Sequence, residues 1–600
     1  MKKYKLILAL AASMTFTTGC YDLDVFPEDQ MSSGTFFQTQ THADQAMMGV
    51  YSLMTDEDVF GRQFGFDCLG GVGSGYDPAS YATIAKGTYT TDENFVKNKF
   101  QKLYEGIARA NIVLQNVDNC DMTDELKARY KAEAKFMRAL YYFTLMDFWG
   151  GVPIYDETTI VGSDFMNMLK PKSDIETVRT FILTDLEEGI QNLPVTWDDT
   201  NKGRATSGAA LALKGKVLLY AKRYDEAKQC FLEVIGETAG SKYTGIYKLY
   251  EEGENPYSDL FKPGGDESSE MIFAIQNIGG VGQDFGMPTT FYMGTRAAFG
   301  SCWNNVMAAV KFVDSYEWKD GTPFSWTEAN ATYNWDGYST FDNASDNKYP
   351  MRQQVFYSTL TDDNKSVKEY TPHRDELLQM YENRDPRMAA SVILPYTQFK
   401  GWVSNKAKDT EFVMTEKTGI CNETNGFIRV NQNYEFYPWR KFVAEYNMDG
   451  AINNRADTPI NFPLIRLADV YLMLAECYLY SESGFDKDNA VKYINMVRNR
   501  KGVEMPLINN GSPQMAANTQ EEVFNRLRHE RAVELAAEGH SFSDMKRWRL
   551  LETLNGPVYG MAKYASYYTR VVSERDYLWP FPLTECEKNP ELAKEQNPGW

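Results

Sequence analysis

Glu530, Arg531, Glu534 and Glu538 fall at spacings of three and four, so one helix face carries three carboxylates and a guanidinium. Paired carboxylates can hydrolyse glycosides, which makes this face a candidate for acid–base chemistry. The same spacing serves an ion-pair lattice such as Arg531–Glu534, worth a few tenths of a kcal/mol if exposed. No spacing singles out a catalytic pair, so the structural reading is favoured. The histidines, at 42, 373, 529 and 540, form no HExxH, and no two of the eight cysteines lie within 40 residues of each other. Zinc knuckles and CxxC redox sites are thereby excluded. The run Asp342-Asn343-Ala344-Ser345-Asp346-Asn347 could offer oxygen ligands to calcium, but it reads first as a solvated loop. Residues 236–242, GETAGSK, are one residue short of a P-loop, and 71–75, GVGSG, miss the dinucleotide spacing. Neither a metal nor a cofactor is expected.

Aromatic residues make up 14 % of the chain, and Trp303, Trp318, Trp326 and Trp335 fall within 33 residues of one another. Aromatic faces are electron-rich and stack on the polarised C–H face of a sugar, whose rim hydroxyls then need polar side chains in reach. Residues 285–340 supply both kinds: Phe291, Tyr292, Trp303, Trp326, Tyr333 and Trp335 beside Arg296, Asn304, Asn305, Asn334 and Asp336. The glycine-rich stretch at 61–81 could add Asp67, Tyr76, Asp77 and Tyr81. The competing reading makes these aromatics the core of their own segment. The expectation is that at least two are exposed, with Trp303 and Trp335 first because Asn or Asp flanks each.

Helices are expected over 41–53, 94–117, 123–148 and 175–193, with Thr123 as a cap and Gly150-Gly151-Val152-Pro153 as a stop. Residues 207–235 carry Gly215, Tyr224, Ala227 and Phe231 at the spacings of a tetratricopeptide repeat. A second helix pair is expected at 463–480 and 488–500, and a third helix at 521–538. The glycines of 61–81 predict a loop. From about 236 to 461 helical punctuation fades, and an excursion of that length is too long for a plain loop. The reading is a mainly α helical-repeat scaffold with a large, loop-rich mixed insertion. The segments are 41–235 (N-terminal scaffold), 236–461 (ligand-binding subdomain), 462–550 (C-terminal helices) and 551–600. The last is expected to run extended, because Pro580-Phe581-Pro582 and Asn597-Pro598-Gly599-Trp600 resist helix.

The start of the chain bears on location. Lys2, Lys3 and Lys5 precede an apolar run at 6–16 and then Thr17-Thr18-Gly19-Cys20. That run is too short to span a bilayer but suits a signal segment. The four residues resemble a bacterial lipobox, with Thr17 where leucine is usual. Residues 1–19 are thus expected to be a lipoprotein signal peptide, Cys20 to be lipidated, and 20–40 to form a tether. Several acyl chains at one end anchor stably. Net charge is −20, which repels nucleic acid and anionic lipid. Cys230 and Cys477, in apolar helical stretches, read as buried free thiols.

These motifs, in order, resemble the SusD/RagB-like outer-membrane lipoproteins of Bacteroidetes. Residues 132–153, AEAKFMRALYYFTLMDFWGGVP, look like that family's Arg-Ala-aromatic helix with its Gly-x-Pro exit. Residues 462–479, FPLIRLADVYLMLAECYL, and 494–503, INMVRNRKGV, look like its fourth repeat. Residues 526–548, RLRHERAVELAAEGHSFSDMKRW, and 577–600, YLWPFPLTECEKNPELAKEQNPGW, resemble its later helix and terminal strip. The resemblance covers nearly the whole chain. It implies a non-catalytic, surface-exposed glycan-binding protein of the outer membrane that delivers oligosaccharide to a TonB-dependent, SusC-like transporter. A peptide carrier of the same fold is the alternative, and a surface glycoside hydrolase a more distant one.

Overall fold

The computed structural model describes residues 36–75, 80–160, 168–280, 285–333, 335, 355–415, 422–428, 436–561 and 568–600. Cys20, Tyr76, Asp77, Asn334, Asp336 and the 342–347 run lie outside the described residues.

Side-chain caps fix where the N-terminal helices begin. Thr39 caps α1 (Gln40–Tyr51) by accepting from the His42 N–H. Helix α2 spans Asn94–Asn116. Thr123 caps α3 (Asp124–Trp149) through the Leu126 N–H, and Gly150, at φ 73°, ends it. Asp174 caps α4 (Ile175–Asn192), and Thr206 caps α5 (Ser207–Tyr220). Helix α6 is Tyr224–Val234. The repeat signature in α5 and α6 has a direct physical cause: a Cβ on Gly215 would lie 2.5 Å from the Phe231 ring. Only glycine lets the two helices approach this closely.

The chain leaves the scaffold after α6 and returns at α7 (Leu467–Leu479), which packs on α6. Tyr224 meets Tyr480 there, with ring centroids 5.3 Å apart. Helix α8 (Lys487–Arg498) and α9 (Gln520–Glu534) stack on α7 in turn, and α10 (Ser541–Arg547) follows. The series α2 to α9 is therefore a continuous run of paired helices interrupted in sequence but not in space. No helix among the described residues is long and apolar enough to cross a membrane. Cys230 and Cys477 are buried thiols outside any disulfide.

Four sequence expectations are corrected. Residues 463–466, expected as helix, belong to a fully buried strand, Phe462–Arg466, antiparallel to β2 (Met271–Ile275). Pro463 suits it, because proline disrupts a helix interior and has no N–H to leave unpaired. The glycine-rich stretch is not an open loop. It folds as buried short turns, Gln63–Phe66 and Asp67–Gly70, and the strand β1 (Gly73–Gly75). A Cβ on Gly70 would lie 2.1 Å from Ser541 Oγ, so close packing rather than flexibility explains the glycine. Residues 551–600 are not wholly extended, since Leu583–Lys588 and Pro590–Ala593 are helical turns. Trp579 and Phe581 are buried, and the Pro580 carbonyl accepts from Trp149 Nε1 at 2.8 Å.

The acidic run is the fourth: the helix expected to reach 538 ends at Glu534, so Glu538 lies just beyond α9. Arg531 pairs with Asp469 and Asp544, at 2.8 and 2.7 Å, and not with Glu534. Glu534 instead accepts from Arg466, Arg500 and Arg387, at 2.9, 2.9 and 3.0 Å. Glu538 accepts from Arg466 and Lys441. All of these side chains are buried. Burial alone would raise the Glu534 carboxyl, but Arg466, Arg500 and Arg387 hold it well below the ordinary carboxylate range. Arg387 and Lys441 of the insertion, Arg466 of the strand, Arg500 just past α8 and the acids at the end of α9 thus lock together in the core. The arrangement is a structural hub with its carboxylates already committed.

Candidate functional site

The site begins with a backbone knot. After the helical turn Thr289–Met293, residues 294–305 fold on themselves. Thr295 O accepts from the Ala298 and Cys302 N–H groups, and Gly294 O from Asn304 N–H, each at 3.0 Å. Ser301 and Asn304 adopt left-handed backbone, at φ 59° and 52°. Asparagine tolerates that region better than most residues. Cys302 and Asn304 point inward and are buried, so Trp303 between them is turned outward and is 49 % exposed. The Arg296 guanidinium sits 3.8 Å from the centroid of the indole. This is a close cation–π contact at a solvent-facing position.

Distant segments hold the knot. The hairpin β4–β5 (Gln398–Val403 and Lys406–Glu411) fastens it, with Trp402 N–H donating to Ala297 O at 2.8 Å. Phe299 lies over Trp402 with centroids 6.2 Å apart. Arg455 donates to the carbonyls of Gly300 and Ser301, at 3.0 and 2.8 Å, and its guanidinium carbon is 4.7 Å from the Phe291 ring. Tyr292 packs edge-on to Phe291 and donates its hydroxyl to Glu57 at 2.8 Å. Beyond the knot, β3 (Val306–Ala308) pairs antiparallel with β1. The glycine-rich stretch and the aromatic segment therefore do adjoin. A Cβ on Gly75 would lie 2.4 Å from Asn305 O, so glycine is what allows the approach.

Of the residues expected to bind, the structure brings Trp303, Arg296, Phe291 and Tyr292 to one region. It withdraws others. Trp335 and Trp326 are buried and pack on each other at 5.9 Å, and Tyr333 stacks on Trp335 at 5.5 Å. Trp335 Nε1 donates to Glu376 Oε2 at 3.1 Å. These rings fill the insertion's own core, the competing reading given above. Asn304 is buried and shapes the turn. Asp67 is buried, accepts from the Ser541 hydroxyl and the Ala537 N–H at 2.7 Å each, and is pushed up to about 6 by burial. Tyr81 is buried, with its ring 4.1 Å from Phe95. Sequence reasoning missed Arg455 and Trp402, which reach the knot from 100 and more residues away and carry no local signal. It also missed Phe285, 66 % exposed, whose neighbour Gly286 packs against Asp457.

Stacked helical repeats with a loop-rich insertion, and one outward-facing indole braced by arginine, define a helical-repeat protein with a solvent-facing aromatic surface. The chain belongs to the SusD family, whose model matches residues 269–600. A second model, described as starch-binding associating with outer membrane, matches residues 23–219. The starch-binding protein SusD of Bacteroides thetaiotaomicron is 23 % identical over 98 % of this chain and 97 % of its own. A SusD-like carbohydrate-binding protein of Bacteroides fragilis superposes with a TM-score of 0.71 at 22 % identity, over 93 % of this chain and all of the other. A laminarin-binding SusD-like protein superposes with a TM-score of 0.61 at 21 % identity, over 94 % of this chain and all of the other.

Proposed function

We propose that this protein is a non-catalytic glycan-binding lipoprotein of the cell surface. It is anchored in the outer membrane through Cys20 and passes oligosaccharide to a TonB-dependent, SusC-like transporter. The observation that carries the reading is the exposed Trp303 indole resting on Arg296. A flat apolar face meets the C–H face of a pyranose, and the guanidinium packed on the indole holds the ring in place at the surface. Phe291 and Arg455 extend the surface with a second ring and a second cation. Relatives named for starch, carbohydrate and laminarin binding support the ligand class.

The test is calorimetry of residues 21–600 against starch, laminarin and a wider glycan panel. The expected result is saturable heat with one glycan. Trp303→Ala should weaken it at least about tenfold, near 1.4 kcal/mol, with an unchanged melting temperature. Equal affinity in that variant would remove the site. Heat that continues after mixing would mean turnover and remove the non-catalytic reading. Binding of peptides alone would favour the peptide carrier.

A further inference from the structure

The hairpin β4–β5 brings a second indole to the knot. A Cβ on Gly401 would lie 2.7 Å from Ala297 O and 3.4 Å from Ala297 Cβ, so glycine lets the hairpin press against the knot. That approach plants Trp402 beside Ala297, whose carbonyl accepts from the Trp402 backbone N–H at 2.8 Å. The preceding residue, Arg296, is the one that packs on Trp303. The two indoles are therefore rooted on consecutive residues. Phe299, on the same knot, lies against Trp402 with the rings 27° from parallel. Phe299 and Trp402 are half-buried, but neither belongs to the hydrophobic core or packs against it. Trp318 and Tyr333, also half-buried, both pack against that core. Ring surface kept apart from the core forgoes the roughly 25 cal/mol per Å2 that burial would give.

The hairpin register fixes what borders this ring. Residues opposite one another, and residues two apart along a strand, share a face. Trp402 stands opposite Ala407, and the next pair on that face is Lys400 with Asp409. Ala407 is exposed, and its methyl group is too small to cover an indole. The Lys400 side chain is 56 % exposed and lies 3.5 Å from Glu445. The Asp409 carboxylate accepts from the Tyr446 hydroxyl at 2.6 Å. An open aromatic ring bordered by an ammonium, a carboxylate and a phenol repeats the composition of a sugar platform. The ring meets the C–H face, and the border lies in reach of the rim hydroxyls.

We propose that Phe299 and Trp402 form a second sugar-stacking position beside Trp303, and that the ligand is an oligosaccharide long enough to reach both indoles. The proposal rests on the glycan reading of Trp303. A short saccharide occupies the Trp303 position alone. A longer chain gains the second stack, and its hydroxyls meet Lys400 and Asp409.

The experiment is calorimetry of residues 21–600 with gluco-, xylo- and manno-oligosaccharides, each as a series from disaccharide to octasaccharide. In at least one series the affinity is expected to rise at least about tenfold with length and then level off. Trp402→Ala keeps the backbone N–H that fastens the knot, so it should bind the short members as the wild type does and lose the gain on the long ones. Trp402→Phe should recover part of that gain. Ala407→Gln, which covers the indole without removing it, should lose the gain in the same way. Trp303→Ala should weaken binding at every length. A gain that survives Trp402→Ala or Ala407→Gln, or a wild-type affinity that does not change with length, would overturn this proposal and leave the Trp303 site standing. So would a loss in Trp402→Ala that is equal at every length, because the ring would then hold the knot and not the sugar. No binding of any member of any series would remove the glycan reading and this proposal with it.

Discussion

Trp303 and Trp335 lie 32 residues apart with similar polar neighbours, and they end in opposite places. Trp303 stands on a backbone knot with two left-handed residues, is half-exposed, and has a guanidinium against its face. Trp335 is fully buried, with rings of Trp326, Tyr333 and His373 around it and its indole N–H committed to Glu376. The first is held by its backbone and keeps half of its side chain at the surface. The second is held by its side chain and leaves nothing. Burial, not composition, separates a surface aromatic from a core one.

The difference can be broken most severely at Trp335. Trp335→Ala removes a filled volume and leaves Glu376 without one donor, so a stability loss of about 3–5 kcal/mol is expected. Chemical denaturation would measure it. Glycan affinity of the folded fraction should stay at the wild-type value, the reverse of Trp303→Ala. If Trp335→Ala instead lost affinity and kept its stability, the assignment of the two tryptophans would have to be exchanged.

Much of the scaffold was legible because its signals are local. Thr123 caps the helix it was expected to cap, and Gly215 faces Phe231 as the repeat spacing implies. What was not legible depends on partners far away in sequence. Residues 463–466 read as the start of a helix until Met271–Ile275 is placed beside them. Glu534 reads as a partner of Arg531 in an ion-pair lattice until Arg387, Arg466 and Arg500 converge on it. In the proposed binding region the residue type at 303 was readable and its neighbour Arg296 was near. Arg455 and Trp402, which fix the knot, were not, because nothing in their own neighbourhoods marks them.

A cation among rings need not face solvent, and Lys99 sharpens the contrast. Its ammonium is buried 5.0–5.8 Å from the rings of Phe60, Phe66, Phe95 and Phe148 and donates to the Val59 carbonyl. Burial pulls it from 10.5 down to about 7. The unfolded chain keeps that proton up to a higher pH than the folded one does. Stability should therefore rise with pH above 7, by about 2–3 kcal/mol between pH 7 and 9. Denaturation curves across that range would show the rise, and Lys99→Met should flatten it. A slope unchanged in the variant would mean that other buried groups carry it.

Arg296 is the outward counterpart, and its effect should be the smallest. An exposed cation–π contact is worth about 0.5–1 kcal/mol, and Arg296 lies against the face of Trp303 in a knot that backbone bonds and Arg455 secure. Arg296→Gln should thus weaken glycan binding about two- to fivefold and leave the melting temperature alone, while Arg296→Lys should recover part of the loss. The size of the effect is informative in both directions. A loss as large as that of Trp303→Ala would mean that the guanidinium bonds the ligand's hydroxyls directly. No loss at all would mean that the indole meets the sugar without help from the charge behind it.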